Sequence, residues 1–342
     1  NGLPKSAIVK SSAPAMLWDK KININNIEAR WTTGELEKFQ EGVQELTECV
    51  FDSILSIPGV EREIALSVTD AVYRFQKIIY KAACLDESDF TDPRLFIYVD
   101  GETGPSGNIM NSPWDQLLSP NPLFSMVNYT LRNDNWNQLT TQGISYWSRY
   151  KIAGFETIVY RLAKKIMKRL PSWLFTKELI VPNENELNIE IASSLALHGV
   201  RITELELDES FSIVKNKIIE GNIPTLYEVV QPIMYERIEE WVTPSAVKIT
   251  MLLFNSHLQE QLKKFKLLVD KLENNIVKSH KRKQSVLMNA PGNIRGFALS
   301  YVCRKNGIPI MSSQHGVTVE ISKRHSMIRY EHDNSVADVM FS

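Results

Sequence analysis

The sequence contains little cysteine, little net charge and no long apolar run, and each shortage excludes a class of protein. Its three cysteines, Cys49, Cys84 and Cys303, are widely scattered, so they form neither an even disulfide set nor a metal-binding spacing. This pattern favours a reducing cytoplasm. A formal net charge of −1 argues against a nucleic-acid partner, which would require a strongly basic face. No uninterrupted apolar segment approaches the roughly 20 residues that span a bilayer, and no signal peptide is visible.

The remaining composition is that of an ordinary globular protein. Of the 342 residues, 43% are hydrophobic and 23% are charged, which is enough apolar material for a sizeable core. The length suits two domains, or one domain with helical additions. The chain starts at Asn1 rather than at methionine and stops within the apolar run 337–341, so we expect the natural protein to be longer at both ends.

Helical periodicity dominates the first part of the chain. Apolar residues recur at helical spacing from Thr33 to Leu85, and Pro58-Gly59 divides this stretch into two helices. Residues 1–90 are therefore predicted to be a mostly helical N-terminal extension. A buried-strand run, Leu95–Val99, then leads into a glycine-rich loop, and residues 108–145 are predicted to form a long connection.

Two strand–helix–strand units follow. The first has strands at Glu178–Val181 and Arg201–Leu205, and the second has strands at Ser285–Asn289 and Ile308–Met311. Strands that alternate with helices are typical of α/β domains with a parallel sheet. Residues 91–342 are therefore predicted to form one Rossmann-like α/β domain.

The second unit ends in the most informative motif of the sequence. In an open parallel sheet, ligands bind beyond the carboxyl ends of the strands. Two polar segments are expected at that edge: Ala290–Asn293 after one strand, and Ser313–Gly316 after the next. The tip of the latter is Gln314-His315-Gly316.

A strand that runs into Gln-His-Gly, preceded by a strand–Pro-Gly–helix unit, resembles the end of the N-terminal domain in bacterial surface-polysaccharide glycosyltransferases of the GT-B type. Capsule and lipopolysaccharide Kdo transferases have a similar turn, here Gln314–Gly316. The resemblance implies the acceptor half of a GT-B fold, with a donor-binding domain following residue 342. The implied substrates are a nucleotide sugar, with a CMP-linked sugar as one candidate, and a glycan or lipid-linked acceptor; no cofactor is implied.

Other functions remain compatible with these patterns. A CDP-glycerol-type phosphotransferase or a nucleotide-sugar epimerase uses the same paired domains. A non-catalytic module that binds a glycan or a partner enzyme is the alternative from a different class, because a fold of this type supports many functions.

His315 is the first candidate for chemistry. Its imidazole, at the expected ligand edge, is suited to stabilising a departing diphosphate or orienting a donor, with Gln314 and Gly316 beside the substrate. Arg324, further along, is a candidate phosphate ligand in an interdomain cleft. The alternative is that His315 binds a backbone carbonyl and only holds its loop in place.

The turn containing Gly292, Asn293 and Arg295 precedes a helix and has two interpretations. Free N–H groups at a helix N-terminus bind anions, which favours a phosphate site. Asn293 is equally suited to be the N-cap of an ordinary turn, and this second interpretation is the favoured one.

Three carboxylates follow predicted strands. Asp100 and Glu102 lie in the loop 100–107, where a carboxylate would act as a general base on an acceptor hydroxyl or as a nucleophile; a turn-forming Asp-Gly is the alternative. Glu184 follows another strand, where it would contact the sugar hydroxyls of the acceptor; an acid that complements the dipole of the following helix is the alternative. His325 and His332 lack zinc-site spacing relative to His315, so no metal is predicted.

A basic amphipathic helix spans residues 152–170 and is followed by an aromatic and apolar tip. This composition is typical of contact with an anionic membrane surface, which predicts a peripheral position at the inner membrane. The predicted surface residues are Lys164, Lys165, Lys168, Arg169 and Trp173. A solvated helix face beside a packed tryptophan is the alternative.

Overall fold

The computed structural model describes residues 8–11, 25–27, 31–92, 96–100, 113–128, 154–205, 217–276, 283–289, 291–313 and 336–341. The chain divides into two compact units. The first unit comprises Asn1–Pro58, Val68–Asn137 and Ile223–Glu260, and the second comprises Gly59–Ser67, Gln138–Asn222 and Gln261–Ser342.

The described residues form α-helices and short strands in alternation. The strands are β1 (Ile8–Ser11), β2 (Asn25–Asn26), β3 (Phe96–Asp100), β4 (Phe124–Asn128), β5 (Lys177–Val181), β6 (Arg201–Glu204), β7 (Lys283–Asn289), β8 (Ile310–Ser313) and β9 (Val339–Phe341). The helices are α1 (Thr33–Leu55), α2 (Arg62–Ala83), α3 (Ser88–Thr91), α4 (Trp114–Leu117), α5 (Phe155–Arg169), α6 (Glu186–Leu197), α7 (Lys217–Trp241), α8 (Pro244–Ile276) and α9 (Ile294–Lys305).

The first unit combines a four-stranded sheet with long helices. Its strands pair in parallel in the order β2-β1-β3-β4. Helix α1 begins with a capping box, in which Thr32 accepts from the Glu35 amide and Glu35 accepts from the Thr32 amide. The apolar face of α1 is buried along its length, at Phe39, Val43, Leu46, Val50 and Ile54. Burial of this face, rather than helix propensity, provides most of the stability of such a helix.

A buried ion pair joins β1 to α3. The Lys10 ammonium group donates to the Asp89 carboxylate, and both side chains are almost completely buried. Asp89 also accepts from the Asp86 amide, and its backbone carbonyl accepts from the Asn121 side chain. Because a buried carboxylate requires partners of this kind, the pair selects one position for the short strand β1.

The second unit contains a five-stranded sheet with the order β6-β5-β7-β8-β9, and all of its strand pairs are parallel. Apolar side chains of α5, α6 and the strands pack into one cluster of Tyr160, Met167, Leu179, Val181, Ala192, Ala196, Ile202 and Leu287. Helix α9 is buried from Ile294 to Cys303 except at Arg295. This explains its lack of an amphipathic pattern.

The structure confirms an α/β architecture and corrects the prediction of a single parallel sheet. Strands β3 and β4 belong to the sheet of the first unit, whereas β5–β9 form the other sheet. Strands β1 and β2 lie within the segment predicted to be mostly helical, and β4 lies within the predicted connection. The predicted boundary at residues 90 and 91 does not coincide with a boundary between the units. Local patterns indicate that a strand exists, but its partners are selected by tertiary contacts.

The local predictions were more accurate where glycine ends a helix or turn. Gly59, Gly199 and Gly307 have φ angles of 79°, 80° and 64°, a region that side chains other than glycine rarely adopt. They follow α1, α6 and α9 as predicted. Among the helices that the structure describes, none is both long enough and apolar enough to cross a membrane.

His257 lies in the buried interior of the first unit. Its ring stacks on Phe75 with 5.8 Å between the centroids, and only 5% of the residue is exposed. Burial lowers the pKa of His257; the Glu260 carboxylate and a hydrogen bond with the Ala71 backbone oppose this effect, and Arg74 adds to it. The imidazole therefore prefers to be neutral in the folded protein.

We predict that the protein loses stability as the pH falls through the usual histidine pKa of about 6.5. The unfolded chain binds a proton at residue 257 in this range while the folded chain does not, so the free energy of unfolding decreases by at most about 1.4 kcal/mol per pH unit. Urea unfolding between pH 7.5 and 5.5 would measure the slope. His257→Leu is expected to reduce the slope, whereas replacement of the exposed His198 by glutamine is the control. An unchanged slope in His257→Leu would contradict the prediction.

Candidate functional site

The candidate site lies at the carboxyl edge of the sheet in the second unit. Helix α6 connects β5 to its neighbour β6, and α9 connects β7 to its neighbour β8. The order β6-β5-β7-β8-β9 therefore reverses direction between β5 and β7. In doubly wound sheets, ligands bind beyond the carboxyl ends of the strands at such a switch point.

Two asparagines join the strand ends at this switch point. The Asn183 side chain, in the loop after β5, donates to the carbonyl of Asn289 at 2.8 Å. In return, the Asn289 amide donates to the Asn183 side-chain oxygen at 3.1 Å. The Asn183 side-chain amide thus forms the two hydrogen bonds that the backbone of another strand residue would form. It extends the link between β5 and β7 beyond their backbone hydrogen bonds.

The network continues to the end of β8. Asn188, a completely buried residue of α6, donates to the Asn183 carbonyl at 3.1 Å and accepts from the Ser313 hydroxyl at 3.1 Å. The Asn289 side chain donates to the same hydroxyl at 3.1 Å. Neutral amides and one hydroxyl therefore hold the ends of three adjacent strands, β5, β7 and β8, in one arrangement. Asn188 and Ser313 are buried and use their side-chain groups within the network, whereas Asn183 is exposed at the edge of the sheet.

The structure gives Asn293 the role of N-cap for α9. Its side-chain oxygen accepts from the amides of Arg295 and Gly296 at 3.0 and 3.2 Å. Two of the N–H groups that would bind an anion are thus already satisfied within the turn. Gly292 is partly buried, and Arg295 is exposed on the first turn of the helix.

A charged cluster lies beside the amide network. The Lys164 ammonium group, on α5, lies 3.0 Å from Glu184 and 2.6 Å from Glu204. Burial disfavours the charged form of Lys164, but its hydrogen bonds to Glu204 and Glu184 outweigh that effect and raise its pKa. Lys164 also lies over the Tyr160 ring, 5.7 Å from the centroid.

Tyr160 is completely buried next to this cluster. Burial raises the pKa of its hydroxyl, and the nearby Glu184 and Glu204 carboxylates raise it further. The phenol therefore remains protonated, and it can act only as a neutral hydrogen-bonding group.

The structure places the predicted site residues in different environments. Glu184 lies at the edge of the second sheet, paired with Lys164, whereas Asp100 ends β3 in the sheet of the first unit. The Asp100 side chain and residues Glu102, Gln314, His315, Gly316 and Arg324 lie outside the described residues.

The predicted membrane residues also separate into two groups. Lys165, Lys168, Arg169 and Trp173 are exposed, whereas Lys164 points to the carboxylates of Glu184 and Glu204.

Sequence reasoning missed Asn183, Asn188, Asn289, Glu204 and the inward role of Lys164. Glu204 ends a predicted strand just as Glu184 follows one, so its position was the available signal. For the asparagines no signal existed, because their roles depend on which strands are neighbours. Among the residues that the structure describes, no group of three or more His, Cys, Asp or Glu side chains is arranged to hold a metal ion.

We predict that Gly296→Ala destabilises the second unit. A Cβ atom at Gly296 would lie 1.9 Å from the Pro291 carbonyl oxygen, so the turn between β7 and α9 would have to move. Overpacking of this kind costs about 1–3 kcal/mol, which chemical denaturation would measure. Gly34→Ala is the matched control, since it lies in the first turn of α1 with no atom within 4 Å of the added Cβ. Equal effects of the two substitutions would contradict the prediction.

Comparison with known proteins finds no relative of this chain. No protein-family model matches the chain, and no curated protein or solved structure matches it. A functional argument therefore depends on the residues and geometry of the chain itself.

Proposed function

We propose that this chain is a GT-B-type glycosyltransferase that transfers a sugar from a nucleotide-activated donor to a bacterial surface glycan, in lipopolysaccharide or capsule biosynthesis. The observation that supports this proposal best is the amide network of Asn183, Asn188 and Asn289 at the switch point of a doubly wound parallel sheet. We propose that the protein acts in the cytoplasm, because the reaction uses a nucleotide sugar as donor.

The architecture provides the first line of support. The second unit contains a five-stranded parallel sheet whose helices connect neighbouring strands, as expected for the Rossmann-like acceptor domain of a GT-B enzyme. In addition, Gln314-His315-Gly316 directly follows Ser313, the last residue of β8 and a member of the network. The resemblance in the motif and the observed polar edge therefore concern the same strand.

The chemistry of the edge provides the second line. A substrate bound there would meet the exposed side-chain amide of Asn183, which suits a sugar hydroxyl, and the charged groups of Lys164 and Glu184. We assign Glu184 to the acceptor side, where its carboxylate would take a proton from a hydroxyl. We assign His315 to the donor side, where a protonated imidazole would stabilise the departing diphosphate.

The epimerase alternative differs from the proposal in its products. An epimerase converts one nucleotide sugar into another without net release of the nucleotide, so an assay of nucleotide release would distinguish the two. The phosphotransferase and the non-catalytic module remain as outcomes that the following experiments would identify.

Calorimetric titration of the full chain with CMP, CDP and UDP tests the donor site. We expect one of the three nucleotides to bind, and we expect His315→Ala to abolish nucleotide release from the corresponding nucleotide sugar while the circular dichroism spectrum is unchanged. Binding without turnover of any nucleotide sugar, but with turnover of CDP-glycerol, would indicate the phosphotransferase. Failure of all three nucleotides to bind would overturn the proposal and favour the non-catalytic module.

The role of Glu184 is tested by Glu184→Gln, which removes the charge but keeps the size. We expect turnover to fall by about 100-fold or more, as is usual for loss of a general base, with little change in nucleotide affinity. Glu186→Gln is the matched control, because Glu186 is an exposed carboxylate two residues away, at the start of α6. Similar turnover in the two variants would exclude Glu184 as the base.

A further inference from the structure

Exposed apolar side chains are concentrated on and just after helix α5. Six of the 13 large apolar side chains that are exposed in the described part of the chain lie between residues 158 and 174. They are Ile158 (42% exposed), Leu162 (56%), Ile166 (48%), Leu170 (40%), Trp173 (79%) and Leu174 (49%). Single exposed apolar residues are ordinary, but a continuous patch usually marks an interaction surface.

The spacing of these residues produces an apolar row. Ile158, Leu162, Ile166 and Leu170 are separated by four residues each, so they follow one another along one face of the helix. The row is about 18 Å long, at 1.5 Å per residue. The short 3₁₀ turn Ser172–Leu174 extends it with Trp173 and Leu174.

A basic row runs beside the apolar row. Arg161, Lys165 and Arg169 each precede a member of the apolar row by one residue, and Lys168 lies next to them; all four are exposed. Within the described ranges, none of these four cations forms an ion pair. The acidic residue of the helix, Glu156, lies in its first turn, away from these cations. The exposed face of α5 is therefore both apolar and uniformly positive.

The opposite face of α5 is used within the protein. Tyr160 and Met167 are buried in the core cluster, and Lys164 pairs with Glu184 and Glu204. In the described part of the chain, the second apolar row of the helix remains exposed.

We propose that α5 and the turn after it bind the surface of an anionic membrane. The apolar row would enter the boundary between headgroups and acyl chains, while the basic row would lie at the level of the lipid phosphates. Trp173 would occupy the interface, where indole rings are enriched. The opposite charges of the basic row and of acidic lipids select this occupant. By contrast, a two-fold contact between two copies of the chain would place two basic rows in one interface.

Flotation of the full chain with vesicles of phosphatidylcholine alone, or with one quarter phosphatidylglycerol, tests the proposal. We expect binding only to the anionic vesicles, weakened as sodium chloride is raised from 50 to 500 mM, because salt screens the basic row. Equal binding to both vesicle types, or to neither, would overturn the proposal.

Two sets of variants separate the contributions of charge and apolar contact. Lys165→Gln, Lys168→Gln and Arg169→Gln together are expected to weaken partitioning about 100-fold, at roughly fivefold for each cation. The matched control removes the same number of positive charges, by Lys→Gln changes at the exposed Lys38, Lys248 and Lys263 of other helices, and is expected to bind like the unmodified protein. Equal losses in the two triple variants would show that only net charge matters and would contradict the assigned face.

The second set replaces apolar side chains. Leu162→Ser with Trp173→Ser is expected to weaken partitioning on the order of 100-fold, since two large apolar groups no longer leave water. Unchanged thermal unfolding of these variants in the absence of lipid would show that they remain folded, as expected for exposed positions.

Sedimentation across a concentration series tests whether the unmodified chain forms a dimer through this face. A dimer of the unmodified chain that the same substitutions dissociate would replace the membrane with a second copy as the occupant, and would refute the proposal.

Discussion

Parallel pairing of β5, β7 and β8 is the constraint on which the rest of the second unit depends. Parallel neighbours cannot be joined by a short hairpin, so each pair requires a helical crossover, and every strand ends at the same edge. Polar residues that are distant in sequence consequently meet there. Asn183 and Asn289 are 106 residues apart, yet each donates a hydrogen bond to the other. The Asn188 side chain is completely buried, and a buried amide is costly when unpaired, so its bonds to Asn183 and Ser313 favour one arrangement of the strand ends over its alternatives.

Helix α5 shows how one element serves two environments. Its inner face places Tyr160 and Met167 in the core cluster and directs Lys164 towards two carboxylates of the strand edge. Its outer face presents an apolar row and a basic row to the surroundings. The proposed site and the proposed membrane surface therefore lie on opposite sides of helix α5. For an enzyme that extends a glycan anchored in lipid, this arrangement would hold the strand edge at a set distance from the bilayer.

The sequence-based predictions were accurate for features that depend on residues close in the chain, and less accurate for features that depend on residues far apart in it. The break at Gly59, the helix ends at Gly199 and Gly307, and strands β5 to β8 depend mainly on near neighbours, and they were predicted within a few residues. The N-cap role of Asn293 was the favoured interpretation of its turn, and the structure agrees. The division of the strands into two sheets was missed. Strand β1 has only four residues, and its position depends on contacts with β3 and on the Lys10–Asp89 pair.

The sequence by itself determined the α/β class, the glycine positions after α1, α6 and α9, and the polar character of the loops after the strands. These properties arise from periodicity, from the conformational freedom of glycine and from capping, all of which act over a few residues. Only the tertiary structure decided that Asp100 ends a strand of one sheet whereas Glu184 follows a strand of the other, and that Lys164 is paired while Lys165 is exposed. The physical reason is that strand pairing and burial are selected by contacts between residues far apart in the chain, and local pattern does not specify those contacts.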